Sequence, residues 1–283
     1  MSMPSTPHVP AGTPTCYRHP DRTTYVRCTR CGRYICPECM RAAAVGHQCV
    51  ECVAAAARTV RRPTTPFGGR ISTGPPVLTY TLIAVNVLMY VLQRASTGFT
   101  EAFVLWAPAV AAGEYYRLVT SAFLHFGLMH LLFNMFALYV IGGPLEAALG
   151  RLRFGLLYAL SALGGSVLVY LLAMNPTAGA SGAVFGLFAA TYVVAKRLNL
   201  DVRFVTGLIV VNLVITFVVP GISWQGHLGG LLTGALVAAA FAYPPPARRN
   251  AVQAATVVTL VLLFAVLIWV RTDVLLGTWM THF

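Results

Sequence analysis

From residue 77 onward the chain is a succession of apolar runs separated by short polar or Gly/Pro-containing breaks, while the first 76 residues are polar, basic and cysteine-rich. Seven runs approach the ~20 residues that a helix needs to cross hydrocarbon. They cover residues 77–93, 124–143, 154–174, 181–196, 203–219, 225–243 and 252–270. Within a bilayer each backbone N–H and C=O must be satisfied inside its own segment, so each run predicts a helix. The run that opens at Ser181 is short, which suits a helix starting below the membrane surface. The expectation is an all-α polytopic membrane protein of seven helices, preceded by a small Cys-rich domain. Residues 1–14 read as a Pro/Ser/Thr-rich disordered stretch, 15–53 as the Cys-rich domain, 54–76 as a basic linker able to lie on anionic headgroups, and 77 to the end as the membrane domain. The first forty residues lack the apolar core of a signal peptide, so none is expected.

Composition supports the membrane reading. Of 283 residues 57% are hydrophobic and only 10% charged, against about 25% charged in an average soluble domain. The net charge of +12 is a nucleic-acid signal only if the basic residues cluster on one surface. They do not. With a cytoplasmic N-terminus, ten Lys/Arg precede the first span and Arg151, Arg153, Lys196, Arg197, Arg203, Arg248 and Arg249 fall on the same side, leaving Arg94, Arg117 and Arg271 opposite. This positive-inside distribution accounts for the charge without a nucleic-acid partner. It orients the N-terminus to the cytoplasm, and the expected location is a plasma membrane of the bacterial inner-membrane type.

All seven cysteines lie between residues 16 and 52, as Cys16-x2-His19, Cys28-x2-Cys31, Cys36-x2-Cys39 and His47-x-Cys49-x2-Cys52. Pairs two residues apart give a tetrahedral zinc ion two ligands per turn. In a reducing compartment this spacing favours metal over disulfides. Four pairs provide eight ligands, enough for two structural Zn2+ ions, and a segment with so few large apolar residues needs that folding energy. Matched ligands leave no open position for zinc catalysis. Spacing permits sequential or interleaved pairing, and His47 competes with Cys49, although Cys49-x2-Cys52 repeats the pair spacing. The order of pairs resembles cross-brace B-box-type zinc fingers. The resemblance implies one ion on Cys16, His19, Cys36 and Cys39 and another on Cys28, Cys31, Cys49 and Cys52, in a module open to a cytoplasmic protein partner.

Within the apolar region, polar and ionisable residues mark function because they are costly at membrane depth. Ser181 heads its segment in Gly179-Ala180-Ser181-Gly182-Ala183, and His227 stands near the start of the 225–243 run. Both spans start from the same side of the bilayer, so serine and histidine share a depth and a Ser–His dyad is feasible. Glu101, Glu114 and Asp273 fall outside the buried spans, and Glu146 falls at the opposite end, which leaves histidine as the base that can activate the serine. Ala178, Gly182 and Gly186 repeat every four residues, as do Gly226, Gly230 and Gly234. Such faces let membrane helices approach closely. A helix starting at Ser181 frees the N–H groups of Ser181 and Gly182 for an oxyanion. His130 and Asn134 lie one turn apart on one face, with His125 nearer the surface.

Three motifs in order, His125-Phe-Gly-Leu-Met-His130-Leu-Leu-Phe-Asn134, Gly179-Ala-Ser181-Gly182 and His227-Leu-Gly-Gly230-Leu-Leu-Thr-Gly234, resemble the rhomboid family of intramembrane serine proteases across residues 77–243. Gly142-Gly143-Pro144-Leu145-Glu146 with Gly150 resembles the family's pattern at the end of the second span. The resemblance implies Ser181 as nucleophile, His227 as general base with no acidic third member, and an oxyanion hole of His130, Asn134 and the Ser181 N–H. It also implies transmembrane protein substrates and a six-helix rhomboid core over 77–243, with 244–283 as a loop and a seventh, C-terminal transmembrane helix in a six-plus-one arrangement. The sequence departs from the family at Tyr116-Arg117, where many members have Trp-Arg, and at Phe185, where some have tyrosine. Two other classes stay open: a silent relative that binds transmembrane clients, and a transporter with a relay of His125, His130 and His227.

Overall fold

A computed structural model describes residues 12–59 and 63–280. Of the expected disordered stretch, residues 1–11 lie outside the described residues. The chain divides into two compact units, Met1–Arg62 and Pro63–Phe283.

The first unit has little regular structure. Strands β1 (Met40–Ala42) and β2 (His47–Cys49) form an antiparallel hairpin with Met40 opposite Cys49, and β2 leads directly into helix α1 (Val50–Thr59). Its buried cluster consists of Cys16, Cys28, Cys36, Cys39 and Cys49 around Ile35. One aliphatic side chain among these described residues cannot offset the backbone entropy of ordering the unit, which is about 1–2 kcal/mol per residue. The sulfur-rich interior must be held in another way.

The second unit is helical. Helix α2 (Val77–Ala95) is followed by a compact segment of short helices, α3 (Thr97–Phe103), α4 (Ala107–Ala111), α5 (Arg117–Thr120) and a 3-10 turn at Ser121–Phe123. Then come α6 (Leu128–Leu149), α7 (Arg151–Leu172), α8 (Ser181–Arg197), α9 (Arg203–Val218), α10 (Trp224–Ala242) and α11 (Arg249–Met280). Each of the seven expected spans therefore coincides with a helix. Among the described residues, five (α2, α6, α7, α10 and α11) are long and apolar enough to cross a membrane, and α8 and α9 are shorter. The short length of α8 has a physical reason. Gly182 through Ala190 are all buried, so this helix is surrounded by protein and needs no lipid-spanning length.

Three features depart from the expectation. First, residues 54–76 are not one linker. Residues up to Thr59 continue α1, whereas Phe67 is buried in the core of the second unit and Gly69 lies against the Leu149 carbonyl and Gly150. Gly150 has φ +79°, a left-handed backbone that favours glycine, and turns α6 into α7. Second, the segment 97–123 is helical and joined to the bundle. Leu105, Val110 and Leu118 share a buried cluster with Tyr170 and Leu275. Third, α11 runs well past residue 270, because its extension packs Leu275 into that same cluster and brings the Thr272 hydroxyl to 2.8 Å from that of Tyr170.

Glu146 explains why α2 docks where it does. The α2 N-terminus has no cap of its own. The buried Glu146 carboxylate accepts from the Leu78 N–H (3.1 Å), the Thr79 N–H (2.8 Å) and the Thr79 hydroxyl (2.8 Å). A carboxylate at a helix N-terminus also complements the macrodipole. Glu146→Ala is expected to cost about 3 kcal/mol by leaving buried donors unmatched, a fall of roughly 6–12 °C in Tm. A thermal scan in detergent checks it, and an unchanged Tm would refute the capping role.

Candidate active site and candidate metal sites

The candidate site forms where the first turns of α6, α8 and α10 meet. Gly179, at φ +146°, bends the chain into α8, and its N–H donates to the Ser121 carbonyl at 3.0 Å. A Cβ on Gly179 would stand 2.8 Å from Cε1 and Nε2 of His130 and 3.4 Å from the Ser181 Oγ. The His130 imidazole, the Gly179 backbone and the Ser181 hydroxyl therefore converge on one point. Ser181 is half-buried and opens α8. The N–H groups of the first turn, those of Ser181 and Gly182 among them, have no intrahelical acceptor and carry the positive end of the helix dipole. Asn134 is buried one turn beyond His130 and donates to the His130 carbonyl at 2.8 Å, using one of its two amide protons.

His227 is buried in the first turns of α10, whose N-cap Ser223 Oγ accepts from the Gly226 N–H at 3.2 Å. Its ring stacks on Phe185 with centroids 4.1 Å apart and planes 17° apart. Phenylalanine provides the stacking face without a hydroxyl. The other contact of the imidazole is Thr216 on α9, whose Oγ1 lies 2.7 Å from Nδ1.

Small residues bring these helices together. A Cβ on Gly182 would lie 3.1 Å from the Gly226 carbonyl oxygen, and one on Gly165 of α7 would lie 2.7 Å from the same atom. A Cβ on Gly230 would overlap the Gly182 carbonyl, and one on Gly234 would overlap the Gly186 backbone. Ser181 and His227 are the sequence neighbours of the touching pair Gly182 and Gly226, so they flank the same contact at the same end of the bundle.

His125 packs edge-on against His130, with ring centroids 5.1 Å apart. Both of its buried ring nitrogens lack a partner among the described residues, while its backbone N–H donates to Gln93 Oε1 at 2.8 Å. It supports the His130 side of the site. Tyr116 and Arg117 fasten the segment 97–123. Buried Arg117 donates to the carbonyls of Glu101 (2.6 Å) and Val104 (2.9 Å) and to Glu114 Oε2 (2.7 Å). The Tyr116 hydroxyl donates to the same carboxylate at 2.7 Å. That hydroxyl, and after it Arg117, hold the Glu114 carboxyl below its usual range. Tyr116, standing where many rhomboid members have tryptophan, thus anchors this segment.

In the first unit the ligand atoms fall into two interleaved groups, Cys16, His19, Cys36 and Cys39, and Cys28, Cys31, Cys49 and Cys52, each with all donor atoms within 4.8 Å of one another. His19 Nδ1 lies 3.8, 3.3 and 3.4 Å from the sulfurs of Cys16, Cys36 and Cys39. Cys31 and Cys49 sulfurs are 3.8 Å apart. A tetrahedron with metal–sulfur bonds of ~2.3 Å has edges of about 3.8 Å, so both donor sets fit a metal ion. The N–H groups of Cys49 and Cys52 approach the sulfurs of Cys28 and Cys49 at 3.2 and 3.3 Å, as suits thiolates. His47 is exposed in β2 and lies outside both groups.

The second unit is thus a polytopic helical membrane protein with a partly buried polar constellation at one end of a tight helix junction. Comparison with known proteins identifies the class more closely. The Rhomboid domain profile matches residues 112–244. Rhomboid protease GluP of Bacillus subtilis (strain 168) is 37% identical over 182 residues, which is 60% of this chain and 36% of GluP. The rhomboid relative YdcA of the same organism is 33% identical over 178 residues, 57% of this chain and 86% of YdcA. Inactive RHOMBOID-like protein 8 of Arabidopsis thaliana is 32% identical over 152 residues, 51% of this chain and 43% of that protein. The chain belongs to the rhomboid family. It spans little more than a third of the length of GluP.

One residue at the site escaped the sequence reading. Thr216 gave no signal beyond being polar in an apolar run, and threonine is ordinary in such helices because its hydroxyl can bond back to the preceding turn.

Proposed function

We propose that the protein is an intramembrane serine endopeptidase that cuts transmembrane segments of other membrane proteins with Ser181 as nucleophile and His227 as general base. The observation that carries this reading is the junction itself. The serine and histidine flank one glycine contact, the histidine ring is fixed by Phe185, and His130 borders the serine hydroxyl. In the proposed reaction His227 Nε2 takes the Ser181 proton as Oγ attacks the scissile carbonyl. The oxyanion is received by the N–H groups of Ser181 and Gly182 together with His130 and Asn134. His227 then protonates the leaving amine, and water admitted from the end of the bundle hydrolyses the acyl-enzyme. The substrate must present an extended segment, since a helix shields its own peptide bonds. GluP is named a protease, which supports the reading. The relative named inactive makes a silent client-binding protein the competing outcome of the test.

The remaining assignments follow the same reading. Two structural Zn2+ ions occupy the interleaved groups of the 15–53 domain, which is free to engage a cytoplasmic protein. The core extends over 77–243 and the seventh helix belongs to 244–283. The protein resides in a bacterial inner membrane with its N-terminus in the cytoplasm, an orientation that the positive-inside distribution supports, and the site opens to the outer face. A tagged fluorophosphonate is expected to label the wild-type protein at Ser181, and to label neither Ser181→Ala nor His227→Ala. Labelling that persists in Ser181→Ala would refute the nucleophile assignment.

A further inference from the structure

We infer that Thr216 is a positioning residue that sets the tautomer of His227. The inference rests on the Ser181–His227 reading above. The Thr216 hydroxyl donates to the Asn212 carbonyl one turn back at 2.7 Å and simultaneously lies 2.7 Å from His227 Nδ1. A hydroxyl has one proton and two lone pairs. With the proton committed to Asn212, only lone pairs remain for the imidazole, so Nδ1 must be the donor. A neutral imidazole carries one N–H. If Nδ1 holds it, Nε2 is the free base, which is the state needed to take a proton from Ser181. The nitrogen that is hydrogen-bonded decides which one reacts.

Two features separate this from ordinary back-bonding of threonine in a helix. Thr216 and His227 are both buried, at 4% and 9% exposure, so water cannot readily replace either partner. Thr216 is also the polar member of the two buried positions of α9, the other being Val205. The rest of that helix gives the site nothing comparable. The same bond holds through the cycle. When Nε2 gains the serine proton, the cation keeps Nδ1–H pointing at the Thr216 oxygen, and the Asn212 carbonyl polarises that oxygen toward it. The chain Nδ1–H to Oγ1–H to O=C thus occupies the place that a carboxylate fills in a three-membered triad, without a buried negative charge.

The test uses the full-length protein in detergent with the tagged fluorophosphonate and a cleavable transmembrane substrate, comparing wild type, Thr216→Val and Thr216→Ser. Valine keeps the shape and removes the acceptor, and serine restores it. Thr216→Val is expected to lower kcat and the rate of Ser181 labelling by about 10- to 100-fold, the worth of one buried hydrogen bond to a charged group, with KM little changed. Thr216→Ser is expected to recover most of both rates. A valine variant that labels at the wild-type rate would overturn the inference, and so would a serine variant as impaired as valine, which would make the role one of shape. If labelling of Ser181 proceeds without His227, the dyad itself fails and this inference falls with it. A Thr216 defect alone leaves the dyad standing.

Discussion

Gly230→Val is expected to dismantle the helix junction and abolish fluorophosphonate labelling and folding together. The first atom of any side chain at 230 would occupy the Gly182 carbonyl, and backbone, unlike a side-chain tip, cannot swing aside. Helices α8 and α10 would have to separate, and Gly165, Gly186 and Gly234 share the same packed seam. Overpacking a core with a side chain commonly costs 1–3 kcal/mol, and a clash with backbone lies beyond that range, at about 4 kcal/mol or more. Gly207→Val is the control, since a Cβ at 207 on α9 meets nothing within 4 Å. It is expected to melt like the wild type. Thermal scans in detergent with labelling of Ser181 decide the matter. A Gly230→Val protein that melts with the wild type would show that close approach of α8 and α10 does not support the site.

The second large effect is loss of metal. With Ile35 as the aliphatic centre of the first unit, ligation must provide most of its folding free energy, on the order of 10–16 kcal/mol per structural zinc ion. All seven cysteines lie between residues 16 and 52, so thiol alkylation of the full-length protein reads this unit alone. Chelation is expected to turn seven protected thiols into rapidly alkylated ones while the Tm of the membrane unit stays constant. Metal analysis before chelation should find two zinc ions per chain. Equal alkylation with and without chelator would contradict the metal assignment.

Much of this architecture was legible in the sequence, for identifiable reasons. Hydropathy located α2 and α6 to α11 because lipid or an apolar protein surround excludes polar side chains from most of each helix. It was silent on α3 to α5, where Pro108, Gly98 and Gly113 break any periodicity and the stabilising partners lie on α7 and α11. Phe67 looked like part of a linker because nothing local shows that it enters the core beside α6. The Cys/His spacing gave eight ligands but left the pairing open. The resemblance to cross-brace fingers supplied the interleaving, and the structure groups the donors in the same way. For the candidate site, the glycine repeats announced a close helix contact, and the motifs announced Ser181, His227, His130 and Asn134. Phe185 stood out only as a departure from the family's tyrosine, and its stack on His227 is set by packing between α8 and α10. Thr216 could not have been, because its significance lies in a distance between helices and in the proton it shares with Asn212.

The measurement that tests the central claim most directly is cleavage of a transmembrane test substrate by purified wild-type protein, Ser181→Ala and His227→Ala in detergent. The account predicts a defined cut by the wild type and a fall of at least about 10³-fold in either variant, since the two side chains act as a unit. Cleavage surviving in Ser181→Ala, or no cut by a wild-type protein whose Ser181 also resists fluorophosphonate, would contradict it.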